Sequence, residues 1–323
     1  MTGRTTVFLA ACVALCPSAS ADDKWPDIIR DAQVANEALL RVGTASMTLT
    51  FRPDINKEEV ATVQADVSWN GEQLRSRVRV RDPMGALGGT VSSEPLDKTP
   101  WELRLRDHKA LYIFNPTTRT LFVHPATERF YPLLELHPLQ VWLKCCPPGQ
   151  GKLARDLIGY TPYKAQTSTF KYAPLDGRTI REVRRDSGRG VSETVYDLGL
   201  GGNVVRLGYT VESGVRMSEG DYHWRKVGSA SVLDRLHYIH LVPAKSGGSR
   251  TEEITLSVSG VELHTLPASE FDKASFLKGL PGDTLIDDRI KGRRYRLHPE
   301  VKMREQDLRD LSRLLRTRGF LKK

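Results

Sequence analysis

The first residues to weigh for chemistry are two adjacent cysteines. Cys145 and Cys146 lie in WLKCCPPGQG, directly before Pro147 and Pro148. A structural zinc site needs four convergent nitrogen or sulfur ligands and a catalytic one needs three. Near this pair the sequence offers His137 alone. The Cys-x-x-Cys spacing of a redox motif is absent. In an oxidising compartment three states are open: reduced thiols buried as small apolar groups, a vicinal disulfide, or bonds to another chain. A vicinal bridge would draw its Cα atoms closer than the usual range. Reduced, partly buried thiols at the end of a short helix are therefore the expectation. Pro147 and Pro148 then end that helix, because neither donates a backbone hydrogen bond.

The eight histidines are scattered. His237 and His240 are three apart, which on a strand sends their imidazoles to opposite faces and forbids a shared metal. Asp283, Asp287, Asp288 and Glu300 invite a calcium reading, yet no Asp-x-Asp-x-Asp-Gly loop stands behind them. A surface strand paired with nearby arginines suits them better. Gly199 to Asn203 superficially suggests a phosphate loop. It lacks a following helix and a Lys-Ser/Thr ending, so a hairpin turn is the better reading. Neither a Gly-x-Ser-x-Gly elbow nor a His-Glu-x-x-His motif occurs. No set of residues supplies a nucleophile, a base and an orienting group together. No enzymatic activity, cofactor or metal is expected.

The N-terminus bears on compartment. Arg4 precedes an apolar run, Val7 to Leu15, too short to span a bilayer. Ala19-Ser20-Ala21 then supplies a small-x-small cleavage site, so residues 1–21 read as a secretory signal. Leu9-Ala10-Ala11-Cys12 resembles a bacterial lipobox, and lipidation of Cys12 is the rival reading. On the first reading Cys12 and Cys16 leave with the signal. The expected location is the periplasm or cell envelope.

Apolar residues make up 39% of the chain and charged ones 27%, the balance of an ordinary globular protein. The net charge is +9. Arg178, Arg181, Arg184, Arg185 and Arg189 cluster in one segment, and Arg289, Arg293, Arg294 and Arg296 in another. Such a protein could meet anionic lipid or an acidic partner. Nucleic acid is not expected, since no basic-aromatic RNA motif or zinc-finger spacing appears.

The elements that must position these groups follow from periodicity. Residues 26–42 form an amphipathic helix by the spacing of Ile28, Ile29, Ala32, Ala35, Leu39 and Val42, with Pro26 in the first turn and Gly43 as the stop. Alternating segments follow at 44–51, 60–69 and 72–81, with Asn70-Gly71 as a hairpin signal. Further strands are expected over 101–106, 110–115, 118–125, 163–172, 179–185, 191–198, 203–211, 217–227, 233–242 and 253–263. A terminal pair spans 284–290 and 293–298. Short helices are expected at 136–146 and 152–160, and a basic helix at 304–318. The whole is one α+β domain over 22–302, an antiparallel meander of about ten to twelve strands, with a C-terminal helix over 303–323. The short strand-to-strand links argue antiparallel pairing.

This order resembles the LolA/LolB-like fold of bacterial lipoprotein carriers. The resemblance rests on the helix and first strand PDIIRDAQVANEALLRVGTASMTLTF and the hairpin VSWNGEQLRSRVRV. The segments DYHWRKVGSASVLDRLHYIHL and FLKGLPGDTLIDDRI resemble exported planctomycete-type proteins on the same plan. The likeness covers most of 25–298. It implies a strongly curved antiparallel sheet, an open half-barrel, covered by the N-terminal helix, the mid-chain helical insertion and the C-terminal helix. It also implies a binding role for a lipid or lipoprotein acyl chain on the concave face. No site residue transfers from the family. This chain is longer than a typical carrier, and its basic C-terminal helix is extra.

From the residues themselves, the insertion reads as a flap over the sheet. Its candidate groove or lid residues are Leu136, Leu139, Val141, Trp142, Leu143, Cys145, Cys146, Leu153, Leu157 and Ile158. The alternative role is an envelope protein–protein interaction or sensor module. The C-terminal helix, with Arg304, Arg309, Arg313, Arg316 and Arg318, could dock on a protein partner or lie on an anionic membrane surface.

Overall fold

The structure is a computed structural model and describes residues 24–87, 92–126, 138, 168–186, 190–243 and 248–297. One helix, α1 (Trp25–Leu39), leads into fifteen strands of a single sheet. The strands are β1 (Val42–Arg52), β2 (Ala61–Asn70), β3 (Gln73–Arg81), β4 (Glu102–Arg106), β5 (Ala110–Asn115) and β6 (Thr120–Pro125). They continue with β7 (Ser168–Pro174), β8 (Thr179–Asp186), β9 (Gly190–Asp197), β10 (Asn203–Thr210) and β11 (Arg216–Val227). Next come β12 (Ala230–Pro243), β13 (Ser249–Glu262), the short helix α2 (Lys273–Lys278), β14 (Leu285–Asp288) and β15 (Arg293–Arg296).

The spatial order is β15-β14-β6-β5-β4-β3-β2-β1-β13-β12-β11-β10-β9-β8-β7. Two sequential meanders, β1 to β6 and β7 to β13, therefore meet along the β1–β13 pair. The described sheet is open, with β15 and β7 at its ends. Threonine-rich alternation builds the seam. On β1, Ala45, Met47, Leu49 and Phe51 are buried, while Thr44, Thr48 and Thr50 on the other face are partly exposed. The β2–β3 hairpin closes Asn70 against Gln73, so its two-residue loop is Gly71-Glu72. Gly71 has φ +56° and Glu72 does not share the left-handed region. Positive φ at the first loop position is the type II′ arrangement, which asks for glycine there.

Three expectations need correction. The pairing is not wholly antiparallel, because β14 runs parallel to β6. Alternation of neighbours around the sheet makes β13, β6 and β14 point the same way. A chain leaving β13 must then return by a crossover before it can pair, as parallel strands require. The segment carrying α2 is that crossover. Among the described residues one sheet holds fifteen strands rather than ten to twelve: thirteen in the two meanders, then β14 and β15.

The first helix also stops earlier, at Leu39, and Val42 and Gly43 belong to β1. Gly43 is not a helix stop. A Cβ there would lie 2.6 Å from the carbonyl oxygen of Glu262 and 2.9 Å from the Trp69 ring, so the strand needs the missing side chain. Within α1, Ile29 is buried but Ile28 and Leu39 are 42% and 45% exposed, so the buried stripe is rotated from the expected one.

Two cores lie on opposite faces of the sheet. The larger joins Leu40, Met47, Leu49, Val63, Trp69 and Leu256 with their neighbours. The smaller joins Leu105, Tyr112, Phe114, Leu121 and Ile286 to Phe271, Phe276 and Leu280 of the crossover. Register shows the change of face. Arg75 on the polar side of β3 pairs with Leu105, and Leu105 pairs with Tyr112. The face that is polar on β1 to β3 becomes apolar from β4 onward, where the crossover covers it.

Candidate functional site

The candidate site is the apolar face of the larger core. Cross-strand partners on one face line up into rows. One row runs Val80, Val63, Leu49, Leu256, Leu236, Tyr222 across six strands from β3 to β11. A second runs Ala61, Phe51, Ile254, Tyr238, Gly220, Leu207, from β2 to β10. It continues through Thr194 and Glu182 to Tyr172 at β7. The row is therefore apolar over most of its length and turns polar at one end. Leu49, Val63, Leu236 and Leu256 have no exposed surface, and Phe51, Ile254 and Tyr238 are buried.

α1 is fixed at the Trp69 end of this face by polar as well as apolar contacts. Asn36, 4% exposed, donates from Nδ2 to the Ser231 carbonyl at 3.0 Å. It also accepts from the Ser231 backbone N–H at 2.7 Å. Gln33 donates to the Gly202 carbonyl at 2.9 Å, and the Trp69 indole N–H donates to the Leu40 carbonyl at 2.7 Å. Ile29, Gln33, Asn36 and Leu40 follow the four-three-four spacing of one helical face.

The glycine-rich segment is the landing site for this helix. Leu198–Leu200 is a single 3-10 turn, capped by the Asp197 carboxylate, which accepts from the backbone N–H groups of Gly199 and Leu200. Gly201 and Gly202 follow with φ +78° and +66°. A Cβ on Gly201 would meet Asn36 at 2.7 Å, and one on Gly202 would meet the Ile29 carbonyl at the same distance. The segment is a turn between strands, as expected, and the glycines serve helix contact. Sequence reasoning missed Asn36, since a polar residue breaks an apolar stripe. The four-three-four spacing through Gln33 and Asn36 was the available signal.

At the far end of the second row, Glu182 faces two tyrosines. Tyr196 donates to its carboxylate at 3.3 Å, and the Tyr172 hydroxyl bonds it as well. Burial pushes the Glu182 carboxyl above its ordinary pKa, more strongly than the tyrosine hydrogen bonds and Arg184 pull it down. Burial and the same carboxylate push the Tyr172 phenol far above its usual range. Arg184, two residues along β8, packs 5.7 Å from the Phe170 ring. This corner can offer a hydrogen-bonding group to a ligand whose body lies along the apolar rows.

The remaining polar residues behave as the sequence suggested or lie elsewhere. His237 pairs with Glu253 at 2.9 Å, whereas His240 lies on the other face with its ring 6.2 Å from Tyr238. Asp287 pairs with Arg294 at 3.0 Å, and Asp283 pairs with Arg119. Among the described residues no group of three or more His, Cys, Asp or Glu side chains is placed to hold a metal ion. No helix among them is long and apolar enough to cross a membrane. The candidate lid residues from Leu136 to Ile158, with Cys145 and Cys146, lie outside the described residues, as do the signal segment and the C-terminal helix.

No family model matches the chain, and no curated protein matches it. Solved structures do. An outer membrane lipoprotein-sorting protein domain from Vibrio parahaemolyticus is 10% identical with a TM-score of 0.40, over 78% of this chain and 97% of that one. A LolA superfamily protein from Nitrosomonas europaea is 14% identical with a TM-score of 0.40, over 77% and 97%. An uncharacterized conserved protein from Thermus thermophilus is 12% identical with a TM-score of 0.32, over 80% and 98%. The first two are of the lipoprotein-sorting and LolA kind that the sequence resembles.

Proposed function

We propose that the protein is an exported, non-enzymatic binding protein that holds a lipid or lipoprotein acyl chain against the apolar face of its sheet. One observation carries this reading: the face is wider than the helix laid on it. The contacts of α1 run from Gly202 before β10 to Trp69 on β2, so it lies across the strands. β12 and β13, 14 residues each, run roughly 45 Å at about 3.3 Å per residue, and a helix with its side chains is roughly 10 Å across. α1 docks at the end marked by Trp69 and Ser231, away from the row formed by Phe51, Ile254 and Tyr238. Apolar sheet faces are stable only when covered. On this reading the 136–160 segment acts as a lid, and a bound chain takes the place of part of the cover that keeps Phe51, Ile254 and Tyr238 buried.

Native mass spectrometry after mild purification, with displacement of a fluorescent fatty acid, tests the proposal. Wild-type protein is expected to carry lipid and to bind the probe. Trp142→Glu and Leu139→Glu are expected to weaken probe binding while the thermal melt stays in place. Wild-type protein that arrives empty and ignores the probe overturns the reading.

A second reading, an envelope interaction module on the same fold, is favoured by β15. All four of its residues are exposed, and three are arginines. On that reading a stoichiometric partner is pulled from envelope extracts and lost when residues 303–323 are deleted.

A further inference from the structure

The face opposite the candidate site holds an open groove of about 810 Å³ between β11, β12 and β13. Its polar lining is Asp221, His223, Arg235, His237, Glu253 and Thr255. Cross-strand register places His223 directly beside Arg235, and Asp221 beside His237. Directly opposed side chains on one sheet face have Cβ atoms about 5 Å apart, so one small group can touch both.

Charge in this groove is unpaired rather than in excess: Arg235 and Asp221 share its floor without forming an ion pair among the described residues. Glu253 is already paired with Arg52 at 3.0 Å and hydrogen-bonded to His237 at 2.9 Å. Nearby arginines are matched as well, Arg225 with Asp234 at 3.0 Å and Arg206 with Glu219 at 2.5 Å. Arg206 also lies opposite Asp221 and feels its charge. Arg235 is exposed and has neither an acidic nor a hydrogen-bonding partner among the described residues. His223 beside it is likewise exposed and unpartnered among them. Two adjacent donors without an acceptor, one a planar guanidinium fork, fit the oxygens of a tetrahedral anion. The Thr255 hydroxyl supplies a further donor on the same floor, next to the Thr50 hydroxyl at 2.7 Å. Leu200, Val205 and the Trp224 ring form an apolar wall. The indole is anchored by its N–H to the Val204 carbonyl at 2.8 Å.

We infer that this groove binds the phosphate of a phosphoester, with Arg235 and His223 on the phosphate oxygens and the Trp224 wall against the organic part. The polar floor lies on the face opposite the lipid-binding reading, whereas Tyr222 and Trp224 of the lining also belong to or pack on the larger core.

The full chain is tested by equilibrium dialysis against inorganic phosphate and by flotation with phosphatidylglycerol and phosphatidylcholine vesicles. Wild-type protein is expected to retain phosphate or to float with phosphatidylglycerol alone. Binding of inorganic phosphate assigns a free phosphoester, and flotation without it assigns a lipid headgroup. Arg235→Ala is expected to lower affinity about tenfold or more, the scale of one charged hydrogen-bonded contact. Arg225→Ala, which removes a matched arginine nearby, is expected to leave affinity within about twofold. Arg235→Lys keeps the charge, loses the fork and should fall between. It also serves if the alanine variant melts early. The inference is overturned if wild-type protein binds neither probe, if Arg235→Ala changes nothing, or if Arg225→Ala weakens binding equally.

Discussion

Asn36 is the residue on which the helix–sheet contact turns. Its amide satisfies both backbone groups of Ser231, which is itself fully buried. Asn36→Ala leaves a buried N–H and a buried carbonyl unpaired. The expected cost is about 2–3 kcal/mol in urea unfolding, with no comparable loss for Gln33→Ala at the half-exposed position beside it. Glu182 yields a pH effect. Its folded pKa lies above the unfolded value, so the fold is favoured while the carboxyl is protonated. That contribution is lost as pH rises from the ordinary carboxylate range through the raised folded value. Glu182→Gln keeps a hydrogen-bonding group without the charge. It is expected to be more stable than wild type at about pH 7.5, with the gap closing toward about pH 4. Equal urea midpoints at the higher pH would count against this. Neither residue was visible as a structural site in the sequence. A lone Asn in a helix and a lone Glu in an arginine-rich strand are ordinary surface residues by type, and only the partners they meet from distant segments change that.

At the level of elements, most of the strands could be read directly, because alternation and turn chemistry are local. The Gly71 turn, the strands over 110–115 and 179–185 and the terminal pair all stand close to where their patterns put them. The face each strand buries could not be read in the same way. The leucines of β4 alternate with arginines as plainly as the valines of β3 do, yet the two sets lie on opposite sides of the sheet. What decides is the crossover, whose Phe271, Phe276 and Leu280 cover the β4 to β6 side. Phe276 is 3% exposed and packs on Tyr112 with ring centroids 6.3 Å apart. Phe276→Ala is expected to cost about 3–5 kcal/mol. Hydrogen exchange should show the loss concentrated in β4 to β6 and β14, with β11 to β13 still protected. Uniform loss of protection across the sheet would mean that the two cores do not behave as separate layers. The candidate lid was legible only as composition, because apolar residues beside a double proline do not say which surface they meet.

For the molecule as a whole, the governing feature is the seam. β1 and β13 are paired from Thr44–Glu262 to Arg52–Glu253, with one register shift between Thr44 and Ser46, and among the described strands this pairing alone holds the two meanders in one sheet. A fragment of residues 22–126 should therefore expose the β13-facing edge of β1 and bind a synthetic peptide of residues 249–262. Binding should fall when the peptide carries Leu256→Asp, since that side chain enters the apolar row. Failure of the unaltered peptide to bind a folded fragment would refute the edge-capture picture. The same seam sets a schedule for the newborn chain. Roughly 200 residues separate its two strands. At about 5–20 residues per second, the β1 edge waits on the order of 10–40 s for its partner. During that interval a long strand rich in Thr, Leu, Met and Phe stands open to any extended chain that passes. Soluble yield is therefore expected to respond to elongation rate more steeply than final stability would suggest, and expression at slowed elongation checks this.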